Sequence, residues 1–325
     1  MVKPFGKRRD YVTFQYCNHG TNAIFKDRFV KKTSECLLPY KAGVKGEVGM
    51  LGLPSSKSSI TLSLAANAPS AIRNALYSYS VYSSERRRNL PFKDIIDFGD
   101  VTIHPTDNEE TINRQYLSVK EILQSEICDT FIFLGGDHGI SFPVIKAFAE
   151  AKGKIGVIQF DAHHDVRNLE DGGRTNGTPF RSLLDGDIIE GQHLVQIGIR
   201  DFANAEEYDH YVREQGVHVY TMGDIDTLGL TSIIRKELVR LSSEVEIIYI
   251  SLDMDVIDQA FAPACPAPNP YGLTSRELLT SVATIAEYSI VKAIDIVEIH
   301  PSKDIRNLTS NLAAYVILTF LNHLK

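Results

Sequence analysis

From residue 46 onward, short apolar runs alternate with longer segments of helical period, and this pattern sets the fold class. The runs at 46–53, 94–101, 130–134, 154–160, 193–199, 217–222, 247–252 and 292–299 have strand length and are rich in Val, Ile and Leu. Between them, 69–80, 109–124, 141–152, 205–214, 231–241, 275–288 and 307–324 have helical period or composition. Strands that alternate with such helices are joined by right-handed crossovers into a mainly parallel sheet, covered on both faces. The class expected is α/β. Residues 1–45 are polar and irregular and read as an arm or lid outside the sheet. Residues 46–325 show no composition break, linker or repeat and read as one catalytic domain.

Three of the runs end in side chains that bind metals. The run at 154–160 leads into Asp161-Ala162-His163-His164-Asp165, the run at 247–252 into Asp253-Met254-Asp255, and the run at 130–134 into Gly135-Gly136-Asp137-His138. If the chain stays extended, alternation puts Asp161, His163 and Asp165 on one side and His164 on the other. An acidic strand end alone commonly starts a turn or caps a helix. Three in one chain match the rule that open α/β sheets place their sites outside the carboxyl ends of the strands. His138, Asp161, His163, Asp165, Asp253 and Asp255 supply two imidazoles and four carboxylates, more than one ion uses comfortably. Two divalent ions would balance the four carboxylates in charge. An oxygen-rich set without thiolate suits Mn²⁺, and would also accept Fe²⁺, Co²⁺ or Zn²⁺. Two ions about 3.5–4 Å apart would lower the pKa of a shared water and supply a nucleophile at neutral pH.

Composition removes several alternatives. The chain has 325 residues, of which 43% are hydrophobic and 23% charged, ordinary for a soluble globular protein. With 34 Lys and Arg against 41 Asp and Glu, the net charge of −7 argues against nucleic acid or an anionic membrane as the main partner. Arg86-Arg87-Arg88 then reads as a solvated patch. The first residues lack the apolar core of a secretory signal, and the apolar run at 313–321 is too short to span a bilayer. Cys17, Cys36, Cys128 and Cys265 show no Cys-x-x-Cys spacing, which points to reduced thiols and a cytoplasmic setting.

Gly-Gly-Asp-His138, Asp161-Ala-His-His-Asp165, Ser251-Leu-Asp-Met-Asp255 with Asp258 following, and Val297-Glu298-Ile-His-Pro301 together resemble the ordered motifs of the ureohydrolase superfamily. That superfamily includes arginase, agmatinase and formimidoylglutamase. The resemblance runs from about residue 50 to the C-terminus. It implies a three-layer α/β/α fold with a central eight-stranded parallel sheet, two Mn²⁺ per subunit, and a homo-oligomer, trimer or hexamer. It also implies that His138, Asp161, Asp165 and Asp253 hold one ion and Asp161, His163, Asp253 and Asp255 the other. By the same carry-over, Glu298 receives the planar cation of an amidine substrate, and Asp165 is the proton carrier. His164 is expected to pack rather than bind metal.

Where arginases and agmatinases have a proton-shuttling histidine, this chain has Asn176. Where arginase places an acidic group near the substrate amino group, it has Ala203, and Ala264 replaces a usual glycine. The loop after Asp165 carries Arg167, Arg174 and Arg181, which suit a clamp for carboxylates. Asp-Val-Arg with Asn-Gly-Thr-Pro-Phe-Arg is most similar to the formimidoylglutamase branch. The activity implied is hydrolysis of N-formimino-L-glutamate to L-glutamate and formamide in histidine breakdown, with Arg167, Arg174, Asn176, Arg181 and Glu298 binding the substrate. Other readings are a urea-releasing agmatinase or guanidino-acid hydrolase and, in another class, a non-catalytic regulatory oligomer.

Overall fold

A computed structural model describes residues 27–91 and 94–325. Residues 32–325 form one compact unit, and the first 26 residues of the expected arm lie outside the described residues. The strands are β1 (Leu37–Pro39), β2 (Val48–Leu53), β3 (Tyr82–Ser83), β4 (Arg88–Asn89), β5 (Ile95–Asp100), β6 (Thr130–Gly135), β7 (Ile155–Phe160), β8 (Leu194–Ile199), β9 (His218–Thr221), β10 (Ile247–Asp253) and β11 (Val291–Val297). The helices are α1 (Ala68–Leu76), α2 (Asn108–Gln124), α3 (Ser141–Lys152), α4 (Pro179–Asp185), α5 (Glu206–Glu214), α6 (Met222–Leu228), α7 (Leu230–Glu244), α8 (Ser275–Ala286) and α9 (Leu308–His323).

All eight expected strands and all seven expected helices are present. Among the described residues, however, the sheet has nine strands, in the order β1-β5-β2-β6-β11-β10-β7-β8-β9, and every pairing in it is parallel. The ninth is β1, inside the stretch expected to lie outside the sheet. It pairs with β5 as Leu37↔Ile95 to Pro39↔Asp97. Only three residues long and closed by proline, it has no periodicity to read, and an edge strand tolerates Pro39 because its outer side needs no hydrogen bond. The β3–β4 ribbon, α4 and α6 were likewise too short to announce themselves.

Two apolar clusters fill the two sides of the sheet. One joins Ile158, Phe160, Ile250 and Leu252 to Ile72, Leu238, Val282 and Phe320 of α1, α7, α8 and α9. The other joins Val157 and Tyr249 to Val119 and Phe148 of α2 and α3. Neighbours along β7 and β10 go to opposite clusters, as strand alternation requires. Both faces are therefore covered, which explains the nearly continuous apolar runs. Among the described residues no helix is long and apolar enough to cross a membrane.

The strand order positions the site. The chain lays down β6, crosses over α3 to β7, and continues outward through β8 and β9. It then returns to insert β10 and β11 between β7 and β6. The four motif-bearing strands thus become neighbours at the centre, and their carboxyl ends open into one crevice where the winding reverses.

Candidate metal centre

His138, Asp161, Asp165 and Asp253 each direct one ligand-type atom to a common region, and so do Asp161, His163 and Asp255; within each set all these atoms lie within 4.8 Å of one another. His138 Nδ1 lies 3.0 Å from Asp161 Oδ2, 2.9 Å from Asp165 Oδ2 and 3.2 Å from Asp253 Oδ2. It makes no well-formed hydrogen bond to any of them. An atom equidistant from three carboxylates and bonded to none faces their common centre, the arrangement expected of ligands around a cation. His163 Nδ1 lies 3.0 Å from Asp255 Oδ2 and 3.5 Å from Asp161 Oδ1.

The six side chains converge for reasons that differ from simple alternation. β7 ends at Phe160, and Asp165 has a φ of 52°, so the 161–165 segment is a turn rather than extended strand. Asp255 sits in the 3₁₀ turn Met254–Val256, whose first residue follows Asp253. Glu298 also has a left-handed φ, 59°. Such backbone costs about 1–3 kcal/mol per residue and is retained where surrounding structure holds it for function. Gly136 lets the His138 turn reach the sheet, since a Cβ there would lie 1.8 Å from the Ser55 carbonyl oxygen.

Electrostatics points the same way. Burial disfavours a charged His138, yet the facing carboxylates outweigh it and raise its pKa well above the ordinary value. For His163, burial is likewise overcome by Asp255 and Asp161, and the pKa is pushed up to about 12. Burial and the Asp161 charge push Asp165 up to about 6. Burial and the Asp137 charge push Glu298 up to about 8. Four carboxylates so close together demand positive charge, and the raised pKa values of both imidazoles express that demand. Divalent cations would satisfy the same demand.

Sequence reasoning missed the groups behind His138. Its Nε2 lies 2.9 Å from Ser251 Oγ, and Asp295, wholly buried, accepts from Ser141 Oγ at 2.6 Å and Tyr249 Oη at 2.8 Å, with Ser251 Oγ 3.1 Å away. This network fixes the imidazole so that Nδ1 faces the carboxylates. The available signal was a lone Asp in the apolar run Ala293-Ile-Asp295-Ile. His164 does face away, as expected: its Nδ1 is 2.7 Å from Gln196 Oε1.

Beside the cluster opens a cleft of about 100 Å³ lined by His163, Asp165, Arg167, Asn176, Asp253, Asp255 and Glu298, among others. Glu298 Oε1 accepts from the His138 backbone N–H and from Asn176 Nδ2, both at 2.9 Å, while Oε2 has no partner among the described residues. Asn176 Oδ1 accepts from the Ile60 backbone N–H at 2.9 Å, so its amide ties the 55–64 loop to Glu298. Arg167 donates its backbone N–H to the Gly177 carbonyl at 2.8 Å, and its stem lies across Gly177, where a Cβ would come within 2.8 Å. No ion pair engages its guanidinium among the described residues.

The other two arginines of the expected clamp do not line this cleft. Arg174 pairs with Glu109 at 2.9 Å and lies over the Phe142 ring, docking its loop on the start of α2. Arg181 pairs with Asp185 at 2.6 Å, one helical turn on, and covers the Tyr211 ring. Each guanidinium is instead held by one acidic and one aromatic partner.

Residues 46–322 match the model of the arginase family. The chain is 49% identical over 300 residues to a formimidoylglutamase of Halalkalibacterium halodurans, covering 92% of this chain and 94% of the relative. It is 45% identical over 302 residues to the formimidoylglutamase of Bacillus subtilis, covering 93% and 94%. The crystal structure of the Bacillus subtilis enzyme superimposes with a TM-score of 0.91, covering 94% of each chain.

Proposed function

The chain belongs to the arginase family of hydrolases, and from that premise we propose that it is a formimidoylglutamase, cleaving N-formimino-L-glutamate to L-glutamate and formamide. The observation that carries the choice of substrate is the Arg167 guanidinium, unpaired among the described residues, in the cleft shared by the ligand cluster and Glu298 Oε2, which likewise has no partner among them. A substrate with an amidinium at one end and carboxylates at the other meets a carboxylate acceptor and a guanidinium donor in that order. Agmatine, with two cationic ends, would leave Arg167 facing a like charge.

On this reading His138, Asp161, Asp165 and Asp253 hold one Mn²⁺ and Asp161, His163, Asp253 and Asp255 the other. The orphaned His138 Nδ1 and the oxygen-rich donor set fit that assignment. The two ions, when bound, supply a water acidic enough to act as a nucleophile at neutral pH and neutralise the surrounding carboxylates. The positive charge of the amidinium favours ionised Glu298, which accepts its N–H bonds through Oε2, the other oxygen being already held by His138 and Asn176. That fixed carboxylate orients the carbon to be attacked. Asp165 Oδ takes the proton released from the attacking water and passes it to the leaving amine, which departs as the amino group of glutamate. Arg167 pairs with a substrate carboxylate. Asn176 cannot relay a proton; its contribution is to hold Glu298.

The enzyme is expected in the cytoplasm as a trimer or hexamer, which light scattering would read. Product analysis over a panel of amidino substrates with Mn²⁺ tests the function. Formamide from N-formimino-L-glutamate supports it, urea from a guanidino substrate favours the agmatinase or guanidino-acid reading, and no turnover of any member leaves the regulatory oligomer.

A further inference from the structure

Two glutamines lie where an apolar core is expected. Gln159 on β7 and Gln196 on β8 are directly paired across the parallel ladder, each with no exposed surface, among Val, Ile and Phe. Buried amides without partners are costly, and here every donor is used. Gln159 Nε2 donates to Asp161 Oδ2 at 2.7 Å and to the His163 carbonyl at 3.2 Å. Gln159 Oε1 accepts from Gln196 Nε2 at 2.8 Å, which also donates to the His164 carbonyl at 2.8 Å. Gln196 Oε1 takes its bond from His164 Nδ1 at 2.7 Å. Asn204 completes the turn, donating to the Ala162 carbonyl at 3.1 Å and accepting the His164 N–H at 2.9 Å.

The chain has one polarity. A carboxylate can only accept, so Asp161 requires the NH₂ of Gln159, which presents its oxygen to Gln196. The NH₂ of Gln196 is thereby committed, and its oxygen requires a protonated Nδ1 on His164. The carbonyls of His163 and His164 are held by side chains in place of ladder bonds, while that of Ala162 takes both the Arg200 backbone N–H and the Asn204 amide, each at 3.1 Å, which is how the segment leaves the sheet yet keeps one conformation. We propose that Gln159 and Gln196 form an amide chain that sets the rotation of the Asp161 carboxylate and the path of the 161–165 turn, making them positioning residues for metal binding. The inference rests on the assignment of Asp161 as a ligand of both ions.

Hydrogen-bond partners of ligating carboxylates typically change metal affinity ten- to a hundredfold when removed. Metal-free wild type, Gln159→Met, Gln196→Met and the double variant are titrated with Mn²⁺ by calorimetry and by chelator competition, with the melting temperature of each metal-free protein measured alongside. Gln159→Met is expected to weaken Mn²⁺ binding about ten- to a hundredfold, Gln196→Met by less. The double variant should fall short of the product of the two, because both act on one carboxylate through one chain. Affinity unchanged in Gln159→Met, with only the melting temperature lowered, assigns the glutamines a packing role and overturns the proposal. Multiplicative effects in the double variant overturn the single chain. Absence of Mn²⁺ binding by wild type removes the metal assignment itself, a different failure from an unchanged ratio between variant and wild type.

Discussion

Removal of the Arg167 guanidinium tests the choice of substrate most directly. Its backbone is pinned to the Gly177 carbonyl and its stem crosses Gly177, so the charge is placed before substrate arrives. It has no competing carboxylate among the described residues, unlike Arg174 on Glu109 or Arg181 on Asp185. A charge-assisted bond of this kind contributes about 1.5–3 kcal/mol, and about 1.4 kcal/mol corresponds to tenfold. Arg167→Ala should therefore lower kcat/KM for N-formimino-L-glutamate roughly ten- to a hundredfold. The carboxylate is remote from the bond that breaks, so the contact is equally strong in ground and transition states, and the loss belongs in KM. Arg167→Lys should recover part of it, since charge survives and the two-pronged geometry does not. The assay is steady-state formamide release with Mn²⁺, from N-formimino-L-glutamate and from an amidine of the same length with a neutral tail. Equal losses on both would mean that Arg167 supports the loop or the metals, and the physical case for an acidic substrate would fall with it.

Perturbations at three other positions separate the remaining roles. Asp253→Ala removes a proposed ligand of both ions and should abolish turnover with loss of most bound Mn²⁺; two retained ions at near-normal activity would refute the binuclear assignment. Asn176→Ala should release both the Ile60 N–H and Glu298 Oε1, lowering kcat about tenfold without loss of Mn²⁺, an effect on the order of one lost hydrogen bond. Strong arginase activity in Asn176→His would show instead that this position sets specificity. Glu237 is fully buried; burial raises its pKa, but Tyr220, His218 and Arg240 outweigh this and the net shift is downward. A depressed carboxylate stabilises above its unfolded pKa and loses that contribution as pH falls through the folded value. Glu237→Gln should therefore be less stable than wild type by about 1–3 kcal/mol at pH 7 in urea unfolding, with the gap narrowing below about pH 4.5. A gap constant with pH would mean that packing, not charge, is what Glu237 supplies.

The sequence by itself determined the elements with strong local signals. Eight strands were legible because a strand buried on both faces must be apolar throughout, and seven helices because their period and length leave little choice. The identities at three strand ends, with Glu298 after a fourth, were equally legible, because chemistry that needs carboxylates and imidazoles cannot disguise them. Tertiary structure decided what has no local signature. β1 exists only because β5 offers an open edge. Arg174 and Arg181 look like Arg167 in the sequence, and only the positions of Glu109, Phe142, Asp185 and Tyr211 separate them. The six candidate ligands do converge, yet by a left-handed Asp165 and a short turn at Asp255 rather than by strand alternation. Hydrogen bonds satisfied across strands distant in sequence, from Gln196 to Gln159 to Asp161 and from Asp295 to Ser251 to His138, hold that geometry. Strand order alone makes those residues neighbours, and strand order depends on packing the whole chain at once.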